Sequence, residues 1–278
     1  MAARYDLHTH SAHSDGTTTP EEIAAHAATV GLSGFALTDH DTTAGWDQGR
    51  AGAARAGIAF LPGMELTTRH DGRSTHLLAY GLDPGHEPLT RALERVRESR
   101  LGRAREMVRR ISRDFPIEWA SVGTDDDART IGRPHIADAL VAAGFFADRG
   151  AAFADVLHPR SPYYVPTYAL DTLDAIGLVR EAGGLTVLAH PAAGRQSRPL
   201  SPDSIDTLVR AGLWGLELDH PENRAEWIPE LEAFAAARGL RITGASDYHG
   251  AGKANRLGEC ASGADIWEEL VARAAVPR

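Results

Sequence analysis

Short apolar runs alternate with amphipathic stretches along most of this chain, a pattern that predicts strands alternating with helices. Tyr5-Asp-Leu-His8 reads as a first strand, Gly34-Phe-Ala-Leu-Thr38 as a second and Ile58-Ala-Phe-Leu61 as a third, closed by Pro62-Gly63. His76-Leu-Leu-Ala-Tyr80 is the fourth. Thr19 is an N-cap, with Pro20 at the first helical position and Glu21 and Glu22 in the first turn, so a helix is predicted to about Val30. An Ala/Gly-rich helix near 44–56 follows the second strand. In the second half, helices near 169–182, 202–211 and 223–238 precede strands at 185–189, 214–218 and 240–243, and a last helix runs from about 264 to 274. Such alternation predicts a parallel α/β barrel with its chemistry at the C-terminal strand ends.

The stretch 87–167 breaks the alternation. Leu89, Leu93, Val96, Leu101, Ala104, Val108 and Ile111 recur at largely helical spacing, so 87–113 is predicted as one long amphipathic helix. A second helix begins at Arg133-Pro134, and Tyr163-Tyr-Val-Pro166 leads back. The expected organisation is a barrel from 1–86 and 168–278 with a helical cap inserted at 87–167.

Composition narrows the classes. The chain has 278 residues and a net charge of −9, which disfavours a surface built to coat duplex DNA or an anionic membrane. Cys260 is the single cysteine, so no disulfide framework or cysteine zinc finger is expected. No apolar run is long enough to span a bilayer, and the first strand starts too early to leave room for a signal peptide, so the expected location is cytoplasmic. Nothing points to an obligate protein partner.

Candidate chemistry sits where strands meet loops. His8 and His10, two apart, share a face if that segment is extended. Asp15 follows, then Asp39-His40, Glu65, His76, His190 and Asp247-Tyr-His249. Taken singly, His76 or His190 reads equally as a core histidine bonded to a carbonyl, and Glu65 as a loop glutamate. Six imidazoles and three carboxylates in corresponding places instead point to a metal centre. Asp39 either orients an imidazole or shapes a turn, and Glu217 either supports the site or makes a structural hydrogen bond.

The ordered motifs H-T-H-S-x-x-S-D-G, T-D-H-D, P-G-x-E, H-x-L-x-Y, A-H-P and S-D-x-H resemble the polymerase and histidinol phosphatase (PHP) superfamily over nearly the whole chain. The resemblance implies a distorted (β/α)7 barrel with two to three divalent ions of Mn, Fe or Zn. By motif correspondence His8, His10, Glu65 and Asp247 would hold one ion, with Glu65 bridging to a second held by His76 and His190. Asp15, His40 and His249 would hold a third, and Asp15, His40, Asp247 and His249 are the expected catalytic group. The implied reaction is in-line attack of metal-bound hydroxide on phosphorus, without a Ser or Cys nucleophile.

Between 87 and 115 there are nine Arg against four Glu and one Asp. Many of these fit a solvated helix with i,i+4 pairs. Arg100 and Arg103 share a face, however, and Arg133-Pro-His135 opens the second helix. Guanidinium forks suit phosphate, so Arg100, Arg103, Arg133, His135 and Arg195 are candidate substrate contacts. Tyr163, Tyr164 and His220 are candidates to stack on a base.

The run R-E-S-R-x-x-R-A, then R-P-H-I-A and Y-V-P, resembles the PHP branch acting on nucleoside 3′,5′-bisphosphates or trimming short 5′-phosphorylated RNA. The implied products are an AMP-type nucleotide and phosphate. Alternatives are a histidinol-phosphate phosphatase, a non-catalytic metal-binding module and an amidohydrolase-like carbon–nitrogen hydrolase.

Overall fold

The computed structural model describes residues 2–124, 129–193 and 198–273. The elements in order are β1 (Tyr5–Asp6), α1 (Pro20–Thr29), β2 (Gly34–Leu37), α2 (Trp46–Ala56), β3 (Ala59–His70), β4 (Arg73–Tyr80), α3 (Glu87–Ile111), α4 (Arg133–Ala142), α5 (Arg149–Ala154), β5 (Leu170–Asp171), α6 (Thr172–Glu181), β6 (Leu185–Leu188), α7 (Pro202–Ala211), β7 (Gly215–Asp219), α8 (Ile228–Arg238), β8 (Arg241–Gly244) and α9 (Ala264–Arg273). The start of α1 follows its sequence signal. Thr19 accepts from Glu22 N while the Glu22 carboxylate accepts from Thr19 N.

Seven strands form one path, β1-β2-β3-β4-β6-β7-β8, with β5 paired to the outer arm of β3. The segment after β1 meets the segment after β8 at Thr9 and Tyr248, where His10 N donates to Tyr248 O at 2.8 Å. The sheet thereby nearly closes into a distorted seven-stranded barrel.

Two expectations need correction. β3 does not end at Pro62-Gly63 but continues to His70. Pro62 is the last residue paired with β2, and Gly63 the first paired with β4, so the proline stands where one ladder gives way to the next. A Cβ on Gly63 would come within 2.9 Å of Thr38 and 3.1 Å of Tyr80, so glycine permits the strand to pass. The barrel is also not all parallel, because β4 runs antiparallel to both β3 and β6. A two-residue turn, Asp71-Gly72 with φ of 48° and 73°, reverses the chain. Positive φ at both central positions matches the twist of a tight hairpin.

Side-chain alternation divides the strands between two cores. Phe35, Leu37, Leu66, Leu77, Ala79, Leu188 and Leu216 pack with the surrounding helices. Ala36, Leu61, Leu78, Tyr80 and Val187 pack together with Trp267, Leu270 and Val271 of α9. The long helix α3 joins two regions. Its Leu89, Leu93 and Val96 belong to the first core, whereas Ala104, Met107, Val108 and Ile111 pack with Ile117, Ile136, Leu140, Val156 and Leu157 in a separate cluster. Among the described residues, no helix is long and apolar enough to cross a membrane.

Candidate metal centre and anion pocket

His8 and His10 leave the end of β1, His40 follows β2, and Glu65 lies in β3 opposite His40. His76 reaches the same place from the early part of β4. Since β4 is antiparallel, its beginning lies level with the far part of β3, and His76 pairs with Thr67. His190 follows β6, while Asp247 and His249 follow β8.

Glu65 is the point of convergence. Its Oε2 lies 3.2 Å from His8 Nε2, 3.0 Å from His10 Nε2 and 3.3 Å from His40 Nδ1. Its Oε1 lies 2.7 Å from His76 Nδ1 and 3.2 Å from His190 Nε2. Asp15 stands 3.1 Å from His249, 3.6 Å from His10 and 3.8 Å from His40. Two groups of donor atoms, His8-His10-Glu65-Asp247 and His10-Asp15-His40-His249, each lie within 4.8 Å of one another, as do His40, Glu65 and His76. All nine residues singled out by the sequence therefore meet at one mouth of the barrel.

Hydrogen bonding alone does not account for this crowd. His40 Nδ1, His76 Nδ1, His220 Nε2 and Asp247 Oδ1 are buried without a hydrogen-bond partner. His8 Nε2 and His10 Nε2 face each other at 3.0 Å, which puts two ring nitrogens where at most one need carry a proton. Unpaired nitrogen and oxygen donors converging on a point fit a bound cation. The charges agree. Burial pushes Glu65, Asp15 and Asp247 up, but the neighbouring imidazoles, and Lys253 beside Asp247, outweigh it and hold all three well below the usual carboxylate range. Burial lowers His8 and His10, yet the surrounding carboxylates raise His8 well above its ordinary value and His10 to about 9. Burial leaves His190 at about 4 and His40 well below its ordinary value. The pocket thus gathers negative charge that draws in protons where cations fit.

Supporting groups settle two sequence alternatives. Asp39 accepts from Ser11 N at 2.8 Å, Ser11 Oγ at 2.6 Å and Ser14 Oγ at 2.6 Å, and Ser14 Oγ lies 3.3 Å from His10 Nδ1. It therefore braces His10 through Ser14. Glu217 is fully buried, with Oε1 2.9 Å from His8 Nδ1 and Oε2 accepting from His190 N at 2.8 Å. It fixes which face of His8 turns toward the cluster. Backbone strain collects here too, with left-handed φ at Asp41 (53°), His190 (29°) and Asp247 (54°).

The candidate phosphate contacts fare differently. Arg100 Nη1 donates to Thr67 Oγ1 at 3.1 Å and lies 3.6 Å from Asp41 Oδ2, so it already has protein partners. Arg103 is 9% exposed, its Nε is unpartnered, and among the described residues no hydrogen bond or ion pair reaches it. Burial and the charges of Arg100 and Arg133 push it down to about 9, so it remains charged at neutral pH. Arg133 donates to Leu157 O at 3.0 Å, lies over the rings of Phe153 and Tyr164, and lines a cavity of about 500 Å³ shared with His76 and His190. His135 Nδ1 accepts from Gly132 N at 3.1 Å, and burial lowers its pKa. Arg195 lies outside the described residues. Of the stacking candidates, Tyr163 is half-buried at the edge of the insertion's apolar cluster, where it packs on Phe115 and donates to Asp114 at 2.7 Å.

The sequence marked His220 as a candidate to stack on a base, not as a neighbour of the cluster, and it missed Lys253. His220 Nε2 lies 3.6 Å from Asp247 Oδ2, and Lys253 bonds the same oxygen. The i,i+3 spacing of Glu217 and His220 at a strand end was a usable signal for the first, while nothing local marked the second. At Cys260, burial with a hydrogen bond to Asp219 pushes the thiol up to about 12. Thiol-reactive labelling at pH 8 should run about a thousandfold slower than at an ordinary cysteine, because only the thiolate reacts. Labelling should quicken roughly tenfold per pH unit above that, and rapid labelling at pH 8 by absorbance assay would contradict it.

The PHP domain profile matches residues 6–114. The chain is 34% identical to a 3′,5′-nucleoside bisphosphate phosphatase of Chromobacterium violaceum over 98% of both chains. It is 32% identical to the 5′-3′ exoribonuclease Rnm of Escherichia coli, over 89% of this chain and 86% of that one. A solved structure from Bifidobacterium adolescentis, described as a metal-dependent phosphoesterase, superposes with a TM-score of 0.95 at 42% identity, covering 98% of this chain and 96% of that one.

Proposed function

Because this chain belongs to the PHP family of metal-dependent phosphoesterases, we propose that it removes a phosphate from a nucleoside 3′,5′-bisphosphate, releasing an AMP-type nucleotide. The observation that carries the substrate class is Arg103, a buried guanidinium that no hydrogen bond or ion pair reaches among the described residues, crowded by Arg100 and Arg133. A buried charge without a partner is costly unless a ligand completes it, and a phosphate does so with bidentate geometry. The cavity of about 500 Å³ is of the size of small-ligand sites. Its lining contains Arg73 and Arg133 and no acid among the described residues, which argues against the cationic amine of histidinol phosphate.

His8, His10, Glu65 and Asp247 would hold one cation, Glu65, His76 and His190 a second, and Asp15, His40 and His249 a third. The nitrogen and oxygen donor set, free of sulfur, suits Mn, Fe or Zn. When bound, divalent ions acidify water and neutralise phosphoryl oxygens. The protein's own share is placement. Glu217 and the Asp39–Ser14 pair lock the His8 and His10 rings, and Arg103 and Arg133 hold the phosphate against the mouth. Residues 87–167 act as a cap, since α4 contributes Arg133 and the segment after α5 contributes Pro159 to the cavity wall.

Phosphate release from adenosine 3′,5′-bisphosphate, histidinol phosphate and short 5′-phosphorylated RNA, measured with Mn²⁺, tests the reading. The bisphosphate should give the highest kcat/KM. Preference for RNA would transfer the assignment to the exoribonuclease activity, and no release from any of the three would end it.

A further inference from the structure

Asp247 turns its two oxygens to different surroundings. Oδ1 lies 3.5 Å from His8 Nε2, 3.4 Å from His10 Nε2 and 3.3 Å from His249 Nδ1, and it lacks a hydrogen-bond partner. Oδ2 is bonded by the Lys253 ammonium and lies 3.6 Å from His220 Nε2. Lys253 Nζ is in turn 3.3 Å from Glu222 Oε1. The backbone at Asp247 is left-handed, a conformation that persists only where the surroundings hold it.

A lysine ammonium beside a candidate cation site is unusual, because it repels the ion the site is built to hold. Its position on Oδ2 resolves the conflict. One carboxylate oxygen carries the ammonium, which leaves the other as a single donor aimed at the imidazoles. Glu222 and His220 come from the segment after β7 and Lys253 from the segment after β8, so the arrangement also ties two neighbouring loops together.

We propose that Lys253, braced by Glu222, is a positioning residue that holds Asp247 by Oδ2 so that only Oδ1 is offered to a divalent cation. The inference rests on the reading that His8, His10, Glu65 and Asp247 hold such a cation.

Equilibrium dialysis of chelator-stripped protein against Mn²⁺, with metal analysis, reads the effect directly. Lys253→Met should weaken one equivalent of Mn²⁺ by about 10- to 100-fold, the range for groups that orient metal ligands, and leave the others unchanged. Lys253→Arg should recover most of the loss, and Glu222→Gln should shift the isotherm the same way by less. At saturating Mn²⁺ the kcat deficit of Lys253→Met should disappear, with KM for the bisphosphate unmoved throughout.

An unchanged or tightened isotherm in both Lys253→Met and Glu222→Gln would overturn the assignment, leaving Lys253 a fold-stabilising residue. A raised KM at saturating Mn²⁺ would overturn it in favour of a direct substrate contact. If Lys253→Met does not fold, Glu222→Gln decides alone. The isotherm needs no turnover, so a protein with the predicted Mn²⁺ shifts but no phosphate release would reject the proposed reaction and keep this inference.

Discussion

Glu65→Gln is expected to lower turnover by at least about 10³-fold, roughly 4 kcal/mol of transition-state stabilisation, while the protein still unfolds cooperatively. The expectation follows from how much converges on this one side chain. Oε2 meets three imidazole nitrogens within 3.3 Å, and Oε1 meets two more within 3.2 Å. An amide keeps the shape but removes the negative charge, and it replaces one acceptor oxygen with an NH₂ donor. One end of the side chain would then turn hydrogens toward the ring nitrogens. Metal content and activity should fall together, and excess Mn²⁺ should restore little, in contrast to the Lys253 variants. Near-normal turnover in Glu65→Gln, at matched thermal stability, would show that the carboxylate is not shared between cation positions.

The ligand set was legible from sequence because its members fall beside short apolar runs, although Glu65 lies inside β3 and His76 inside β4 rather than at a strand end. His76 was legible for a reason that the parallel-barrel expectation had wrong. It lies in the first half of its strand rather than at the end, and it reaches the mouth only because β4 runs backwards. The signal for that reversal was present in Asp71-Gly72, a dipeptide suited to positive φ, and it passed unread. Pro62-Gly63 misled in the opposite direction, since a proline between two ladders need not stop a strand.

The arginines mark where sequence reading runs out. Arg100 and Arg103 share a helix face and look equivalent in the chain. Only the fold shows that Arg100 meets Thr67 and Asp41 from the β3 arm and the loop after β2, while among the described residues no hydrogen bond or ion pair reaches Arg103. Lys253 is similarly invisible, because its partners Asp247 and Glu222 are assembled by the packing of two loops. Local pattern fixes which face a residue occupies, and tertiary contacts decide whether its charge is already satisfied.

That difference gives the second large effect, in which Arg103→Met should weaken substrate binding and strengthen the fold. Hydrogen bonds to a charged group contribute about 2 kcal/mol, so KM for the bisphosphate should rise by about thirtyfold. The change should fall on KM with kcat little altered, the signature of an interaction made equally in ground and transition states. In the free protein the same guanidinium is a buried charge crowded by Arg100 and Arg133. Replacing it with an apolar side chain of similar reach should raise unfolding stability by about 1 kcal/mol or more, as is common where a site is preorganised for its ligand. Arg103→Lys keeps the charge and loses the planar fork, so it should retain the stability deficit and recover only part of the binding. Denaturant melts of the ligand-free variants, alongside steady-state kinetics, separate the two effects. A destabilised Arg103→Met with unchanged KM would mean that the guanidinium serves the insertion's packing, and the phosphate must then be sought at Arg133.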